Sequence, residues 1–200
     1  MLEAQVIRFQ DLVESPWKNG QGTTREIARE ASEPFLWRLS RAAVAGSGPF
    51  SSYPGYDRSL VLLRGSGTLL SGAKKRSVSA MVAYRFSGDD ATHLELSSPT
   101  EDFNLFTLRG KARGSSYPSY FSPEEEMQLP VAGQRHFVHC VEGRLEIFEP
   151  NGGGRFALAP GDTFSAARNS DKEYLNLRAR AVERATALWT VIHLLKEGEK

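Results

Sequence analysis

Residues 59–70 read Ser-Leu-Val-Leu-Leu-Arg-Gly-Ser-Gly-Thr-Leu-Leu, and residues 137–148 read Phe-Val-His-Cys-Val-Glu-Gly-Arg-Leu-Glu-Ile-Phe. Each stretch is an apolar run, an X-Gly turn and a second apolar run, which is the pattern of two strands joined at a glycine. In the second half, the turn Ala-Pro-Gly-Asp at 159–162 precedes another short strand-like run. The two stretches therefore predict a β-fold with an internal repeat, and two unrelated hairpins in one sandwich remain the alternative.

The rest of the chain also consists of short strand-like segments separated by turn residues. Eighteen glycines and ten prolines interrupt short segments rich in Val, Leu, Phe, Tyr and Thr, which is typical of an all-β sandwich or barrel. The run at 187–195 suits a buried strand or a helix, and its Thr, Val, Ile and Trp favour the strand. The predicted strands are 5–9, 23–28, 35–43, 59–63, 67–70, 81–86, 93–96, 103–108, 135–141, 144–148, 155–158, 162–166, 175–180 and 187–195.

One short helical turn is predicted at residues 122–127. Ser122 can cap its N-terminus, Pro123 suits the first turn, and the three glutamates that follow are favoured by the helix dipole. We therefore expect little helix in the whole chain.

Composition excludes several classes of protein. The chain has 200 residues, 25 Lys+Arg against 24 Asp+Glu, and a net charge of +1. This near balance lacks the basic footprint of nucleic-acid binding, and no apolar run approaches the ~20 residues of a membrane helix. The single cysteine, Cys140, excludes an internal disulfide and favours a reducing compartment. We expect a cytoplasmic protein with a small anionic metabolite as its partner, no nucleic acid and no membrane, and we leave a homodimer open.

The repeated strand, glycine turn and strand pattern resembles the cupin fold. Two copies predict two cupin-like antiparallel β-barrels, a bicupin, at residues 1–112 and 113–200. The resemblance implies a metal held by two His, a Glu and a third His. Here Arg58 stands at the glutamate position and Asn104 at the third-histidine position of the first copy, while His136 stands at the glutamate position of the second. We therefore expect no metal and no cofactor, and the second barrel is expected to be degenerate.

Longer sequence motifs in the first half of the chain resemble a more specific protein family. They are Ser-Pro-Trp-Lys-Asn-Gly-Gln-Gly-Thr-Thr-Arg-Glu-Ile-Ala at 15–28, Phe-Leu-Trp-Arg-Leu-Ser-Arg-Ala at 35–42, Gly-Pro-Phe-Ser at 48–51, Tyr-Pro-Gly-Tyr-Asp-Arg at 53–58 and Asp-Phe-Asn at 102–104. This series is similar to the HutD/Ves family. The resemblance covers most of the first 110 residues, and it implies a two-cupin protein that accompanies histidine-utilisation genes and binds a small intermediate. It implies no established enzyme activity.

The residue chemistry of the first half suits a small carboxylate. On a strand Arg38 and Ser40 share one face, and a guanidinium grips a carboxylate through two parallel hydrogen bonds. A few convergent polar groups in an apolar barrel are the usual form of a small-molecule pocket. The first barrel is therefore expected to bind the ligand, through Lys18, Thr24, Glu26, Arg38, Ser40, Tyr56, Arg58 and Asn104.

Several of these residues also have a structural interpretation. Arg38 and Glu26 can form an ion pair that needs no ligand, and Arg58 can pair with Asp57 or Glu26 instead of binding an anion. The stretch 18–20, Lys-Asn-Gly, is also a typical tight turn. The sequence leaves these alternatives open.

Two functions of different class follow. The preferred one is a non-catalytic protein that senses or sequesters a small carboxylate, urocanate or a formylglutamate-like acid if the family resemblance holds. The alternative is a metal-independent isomerase or hydrolase acting on such an acid, with Glu26 as base and Arg58 holding the carboxylate. A protein-interaction scaffold that acts on a transcription factor is a third interpretation.

Overall fold

The computed structural model describes residues 3–129, 133–148, 154–168 and 177–196. These residues are almost entirely antiparallel β-structure, and the helix among them is a single 3-10 turn at Phe9–Asp11. The prediction of an all-β chain with little helix is confirmed. The strands are β1 (Glu3–Ile7), β2 (Glu14–Pro16), β3 (Gly22–Arg29), β4 (Trp37–Val44), β5 (Gly48–Pro49), β6 (Tyr56–Leu62), β7 (Ser66–Ser71), β8 (Lys74–Ser79), β9 (Ala83–Ser87), β10 (Thr92–Leu96), β11 (Thr100–Leu108), β12 (Ala112–Phe121), β13 (Glu126–Gln128), β14 (Arg135–Glu142), β15 (Leu145–Phe148), β16 (Arg155–Leu158), β17 (Thr163–Ala167), β18 (Arg178–Ala181) and β19 (Ala185–Leu194).

The chain divides into two compact units. The N-terminal unit comprises Val13–Ser115 and the segment that begins at Leu195, and the C-terminal unit comprises the residues up to Leu12 and Ser116–Leu194. This division differs from the predicted one at the chain start, because β1 pairs with β17 along its whole length. Strand hydrogen bonds, and not order in the sequence, assign the first residues to the C-terminal unit.

Each unit contains two sheets with matching strand order. In the N-terminal unit the orders are β2-β3-β4-β11-β6-β9 and β5-β10-β7-β8. In the C-terminal unit they are β1-β17-β14-β19-β12 and β13-β18-β15-β16. The run β4-β11-β6-β9 corresponds to β12-β19-β14-β17, and the second sheets correspond strand for strand. The two units therefore share one connectivity through eight strands, as the repeat in the sequence predicts.

The glycines of the repeated turns allow the chain to change sheets. Gly65 and Gly143 have φ of 74° and 76°, a left-handed conformation that glycine adopts without steric penalty. The strands before these turns, β6 and β14, lie in one sheet of their unit, and the strands after them, β7 and β15, lie in the other. In both repeated segments the chain therefore crosses from one sheet to the other, and the segments are not hairpins.

The apolar faces of these sheets form the cores. In the N-terminal unit, buried leucines of β6, β7 and β10 cluster with Val78 of β8. In the C-terminal unit, the larger cluster includes Val138, Ile147, Phe164 and Trp189. Burial of each such side chain stabilises the fold by roughly 1.5–3 kcal/mol. This gain favours the strand orientation that turns the apolar face of each sheet toward the core.

The predicted helical turn at 122–127 is wrong. Glu124 has φ of 62°, outside the right-handed helical region, and it lies within a single turn closed by the hydrogen bond from Glu125 N to Ser122 O at 3.1 Å. The chain then continues as β13, in which Met127 lies opposite Ala179 of β18. Backbone pairing with β18 outweighs the local capping preferences.

Other strand predictions hold to within a few residues, and five strands were not predicted. The ambiguous run at 187–195 is strand β19, and the predicted strand 175–180 begins outside the described residues. The strands that the apolar pattern missed are β2, β5, β8, β12 and β13, which are short, polar or at sheet edges; in β8 only Val78 is buried. In the described part of the chain, no helix is long and apolar enough to cross a membrane.

Candidate functional site

A cavity of about 560 Å³ lies in the N-terminal unit. Strands β3, β4, β6 and β11 contribute lining residues, and so do the segments 16–19 and 49–53. Six of the eight residues predicted for the site line this cavity: Lys18, Thr24, Arg38, Ser40, Arg58 and Asn104. The alternation of side chains along β4 and the pairing of β11 with both β4 and β6 bring Arg38, Ser40, Arg58 and Asn104 to one face. Thr24 joins them because β3 pairs with β4, and Lys18 lies in the turn between β2 and β3.

Arg58 is the buried cation of the cavity. It is 5% exposed, its Nη1 donates to Ser51 O at 3.2 Å, and its Nη2 donates to Asn104 Oδ1 at 3.1 Å. Within the described residues, its Nε has no hydrogen-bond partner and no carboxylate forms an ion pair with it. Burial lowers the pKa of Arg58 to about 10, partly opposed by Asp102, so the guanidinium stays protonated at neutral pH.

Aromatic rings surround this guanidinium. Its Cζ lies 4.5 Å from the ring centroid of Phe106, 4.8 Å from that of Phe50 and 4.9 Å from that of Phe86. The negative faces of aromatic rings attract a cation, so these rings replace part of the water that Arg58 loses. Phe50 and Phe106 also line the cavity, together with Trp17 and Tyr53.

Behind Arg58 lies a buried acid that the sequence argument did not single out. Asp102 is 0% exposed, and its Oδ1 accepts a 2.6 Å hydrogen bond from Asn104 Nδ2. Burial raises the pKa of Asp102 to about 7, against the opposing effects of Arg58 and the Asn104 hydrogen bond. The Asp-Phe-Asn motif at 102–104 was the sequence signal for this acid. Residues 102 and 104 of a strand share one face, so Asp102 belongs on the same side as Asn104.

Arg38 is paired at the edge of the cavity. Its Nε donates to Glu26 Oε2 at 2.7 Å, and Glu26 Oε1 lies 3.7 Å from Arg29 Nε. Glu26 is not among the lining residues and its side chain is 42% exposed. The structure therefore contains the ion pair between Arg38 and Glu26 that needs no ligand. Glu26 largely neutralises the charge that Arg38 brings to the cavity.

Tyr56 does not reach the cavity, contrary to its predicted place in the site. Its hydroxyl donates to Phe35 O at 2.9 Å, and its ring lies 4.6 Å from the Phe35 ring. This aromatic cluster holds the side chain away from the lining. The neighbouring Asp57 pairs with Arg109 at 3.0 Å, so it does not neutralise Arg58.

The turn between β2 and β3 contributes to the cavity and is also a tight turn. Gly20 N donates to Trp17 O at 3.0 Å, and Gly20 has φ of 68°. Trp17 Nε1 donates to Thr24 Oγ1 at 2.7 Å, which fixes the indole beside the cavity. The stretch 18–20 is therefore both a tight turn and a part of the cavity wall. Lys18 is exposed and places a cation at the cavity.

The residues present do not fit the metal that a cupin fold implies. At the glutamate position the Arg58 guanidinium is hydrogen-bonded to Asn104 at the third-histidine position, and a fixed cation at that place repels a metal ion. Among the described residues, no group of three or more His, Cys, Asp or Glu side chains could hold a metal.

The C-terminal unit has different residues at the equivalent positions. Val138 lies opposite Trp189 as Leu60 lies opposite Asn104, so Trp189 replaces Asn104. His136 takes the place of Arg58, and its Nε2 contacts Gly133 O at 3.2 Å. Burial lowers the pKa of His136 to about 4. At these described positions, the C-terminal unit therefore has neither the arginine nor the asparagine of the N-terminal unit.

His139 lies on the opposite face of β14 from His136, as the odd spacing of the two residues predicts. Its Nδ1 contacts Thr163 Oγ1 at 2.9 Å. The two imidazoles therefore do not converge on one ligand.

Fold and site define a class: a cupin-fold protein in which a buried arginine occupies the position of a metal-binding glutamate. The chain superposes on a cupin 2 conserved barrel domain protein from Leptotrichia buccalis with a TM-score of 0.58, at 13% identity over 96% of each chain. Within that class the chain belongs to the HutD family, whose sequence profile matches residues 9–188. The predicted resemblance is thus confirmed.

Three relatives support this assignment. A Pseudomonas putida protein described as an uncharacterized 21.2 kDa protein in the hutC 3' region is 40% identical over 79% of this chain and 97% of its own length. Protein Ves of Citrobacter koseri is 36% identical over 48% of this chain and 54% of that protein. The structure of HutD from Pseudomonas fluorescens SBW25, in a formate condition, is 25% identical over 96% of this chain and 100% of that chain, with a TM-score of 0.78. The family is linked to histidine utilisation.

Proposed function

We propose that this protein is a non-catalytic binding protein for a small carboxylate, and that it moderates histidine utilisation by sensing or sequestering such an intermediate. The observation that carries the proposal is Arg58: a guanidinium that is 5% exposed and that, in the described part of the chain, has no ion-pair partner. A buried charge without a counter-ion in direct contact is costly, and Asp102 reaches Arg58 only through Asn104 while burial disfavours its own anion. A bound carboxylate supplies that counter-ion.

The geometry of the Arg58 guanidinium suits a carboxylate. Two of the five N–H donors of Arg58 are used by Ser51 and Asn104, which leaves donors on a planar fork that matches two carboxylate oxygens. The polar neighbours Ser40 and Asn104 line the same cavity and can orient the rest of the ligand.

The walls of the cavity favour an acid with a flat or apolar body. Trp17, Phe50, Tyr53 and Phe106 line it, and its volume of about 560 Å³ lies within the usual range of small-molecule pockets, roughly 300–1,000 Å³. Urocanate, with one carboxylate and a planar ring, suits this lining. A formylglutamate-like acid could place a second carboxylate near Lys18.

No specific observation favours the enzymatic alternative. It required Glu26 as a base, but the Glu26 oxygens lie against Arg38 and Arg29 and outside the cavity lining. A base has to reach the proton it removes.

Calorimetric titration tests the proposal with three acids: urocanate, N-formylglutamate and trans-cinnamate, the phenyl analogue of urocanate. We expect at least one acid to bind with a stoichiometry of one, and the neutral amide of cinnamate not to bind. Absence of binding by all three acids, or equal binding of the amide, would contradict it. Recovery of each acid after incubation, measured by NMR, separates binding from turnover, since conversion of the acid would favour the enzyme.

A further inference from the structure

A chain of three buried polar side chains leads from the cavity into the N-terminal unit. Arg58 Nη2 donates to Asn104 Oδ1, and Asn104 Nδ2 donates to Asp102 Oδ1. The two bonds together fix the orientation of the amide, because one side must accept and the other must donate. Asp102 Oδ2, in contrast, has no hydrogen-bond partner among the described residues.

The surroundings of Asp102 leave Arg58 as its main charged neighbour. On the paired strands its opposite residues are Ala42 of β4 and Leu62 of β6, and the facing strands β7, β8 and β10 contribute Leu69, Val78 and Leu94 to the core. Farther along the same cavity face, the charged or titratable groups are Arg58, Arg38 with its partner Glu26, Lys18 and Tyr53.

The buried charges constrain what can bind. With Asp102 ionised, Arg58 and Asp102 form a neutral pair through Asn104, and an added carboxylate leaves the buried group with a net negative charge. With Asp102 protonated, the carboxylate neutralises Arg58. Burying an uncompensated charge is the more costly arrangement. The unpartnered Asp102 Oδ2 also favours the neutral acid, since a charged oxygen without a donor is poorly stabilised.

We propose that Asp102 takes up a proton from solvent when a carboxylate binds to Arg58, so that the site takes up an anion and a proton together. This inference rests on the proposed function of carboxylate binding. Arg58 then has two competing counter-ions, an internal one in Asp102 and an external one in the ligand. Protonation of Asp102 frees Arg58 for the ligand.

The sign of the pH dependence follows from this exchange. Burial already raises the pKa of Asp102 to about 7 in the free protein. A ligand carboxylate beside Arg58 adds negative charge nearby and raises that pKa further, so binding consumes protons and weakens as pH rises. Between pH 6 and pH 8 the affinity should fall about tenfold, because each pH unit above the free pKa costs up to one decade.

Calorimetry with trans-cinnamate measures the exchange directly. Its carboxylate stays ionised from pH 6 to pH 8 and it has no other titrating group, whereas the imidazole of urocanate titrates in this range. Titrations at both pH values in two buffers of different ionisation enthalpy give the number of protons taken up. We expect nearly one proton per ligand at pH 8, a small fraction of a proton at pH 6, and the tenfold loss of affinity. If cinnamate does not bind and N-formylglutamate does, N-formylglutamate is the probe and the same results are expected.

Two variants assign the proton. Asp102→Asn keeps an acceptor for Asn104 but cannot titrate, so it should bind at pH 8 about tenfold more tightly than the wild type, with no proton uptake and no pH dependence. Glu101→Gln is the matched control, because this neighbouring acid faces the other side of β11 and pairs with Arg41 at 2.9 Å. It should keep the wild-type proton uptake.

The outcomes separate this inference from the proposed function. Binding of an acid by the wild type with equal affinity at both pH values and no proton uptake overturns the role of Asp102 and leaves carboxylate binding intact. Proton uptake that persists in a folded Asp102→Asn protein also overturns it. Absence of binding by all the acids overturns the proposed function itself. If Asp102→Asn does not fold, the proton count of the wild type decides.

Discussion

Arg58 is the residue whose removal should affect ligand binding most. A hydrogen bond to a charged group contributes ~1.5–3 kcal/mol, and ~1.4 kcal/mol corresponds to one decade of affinity. We therefore expect Arg58→Ala to weaken cinnamate binding about ten- to a hundredfold. Arg58→Lys should recover only part of the loss, because an ammonium lacks the planar two-pronged geometry. Calorimetric titration of the wild type and both variants measures the effect.

The control for Arg58 is a second arginine of the same unit. Arg109 pairs with Asp57 and Asp89 outside the cavity lining, so Arg109→Ala should leave the affinity unchanged. Because Arg58 is enclosed by aromatic rings, each variant must first give the circular dichroism spectrum of the wild type. Unchanged affinity in a folded Arg58→Ala protein would remove this residue from the site, and with it the main argument for an anionic ligand.

At the scale of elements, the two repeated turns have the same backbone and different surroundings. A Cβ added at Gly65 would meet its nearest neighbour, Thr100 Oγ1, at 3.7 Å, whereas one added at Gly143 would lie 2.2 Å from Arg184 O. Gly65→Ala should therefore cost about 1–2 kcal/mol, the penalty of the left-handed conformation alone. Gly143→Ala should cost more, because the backbone of its neighbour must also move. Urea unfolding of the two variants compares the losses.

The same pair of variants provides its own control, since both remove a glycine with nearly the same φ from equivalent turns. Equal losses of stability would mean that conformation alone determines the requirement for glycine at these crossings. A larger loss at Gly65 would contradict the packing described for both turns.

At the scale of the whole molecule, the two units contribute opposite pH dependences to stability. Burial lowers the pKa of His136 from 6.5 to about 4, so the stability from its neutral form is complete above pH 6.5 and is lost as pH falls toward 4. Burial raises the pKa of Asp102 from 3.8 to about 7, so the stability from its neutral form is complete below pH 3.8 and is lost as pH rises toward 7.

His136→Gln tests the acid side of this balance. Glutamine keeps a hydrogen-bonding side chain but has no proton to gain near neutral pH, so the fall in Tm between pH 7 and pH 5 should be smaller in this variant than in the wild type. Thermal unfolding followed by circular dichroism at the two pH values measures it. An equal fall in both proteins would show that another group produces the acid sensitivity.

Much of the fold could be predicted because its signals are local. Side chains alternate across a strand with period two, so apolar runs and glycine turns reveal strands such as β6, β11 and β14 without knowledge of their partners. The helical turn at 122–127 failed because its local preferences compete with pairing to β18, which the sequence does not display. Polar strands such as β8 were missed because few of their side chains are buried.

By itself, the sequence determined the strand alternation, the glycine turns, the family and the residues that share a face, such as Arg38 with Ser40. Only the tertiary structure decided that β11 lies between β4 and β6, which brings Arg58 within 3.1 Å of Asn104, that Tyr56 turns toward Phe35, and that Asp102 is wholly buried. The reason is physical: alternation and left-handed turns depend on neighbours along the chain. Strand partners, desolvation and the pKa of a buried acid depend on neighbours in space.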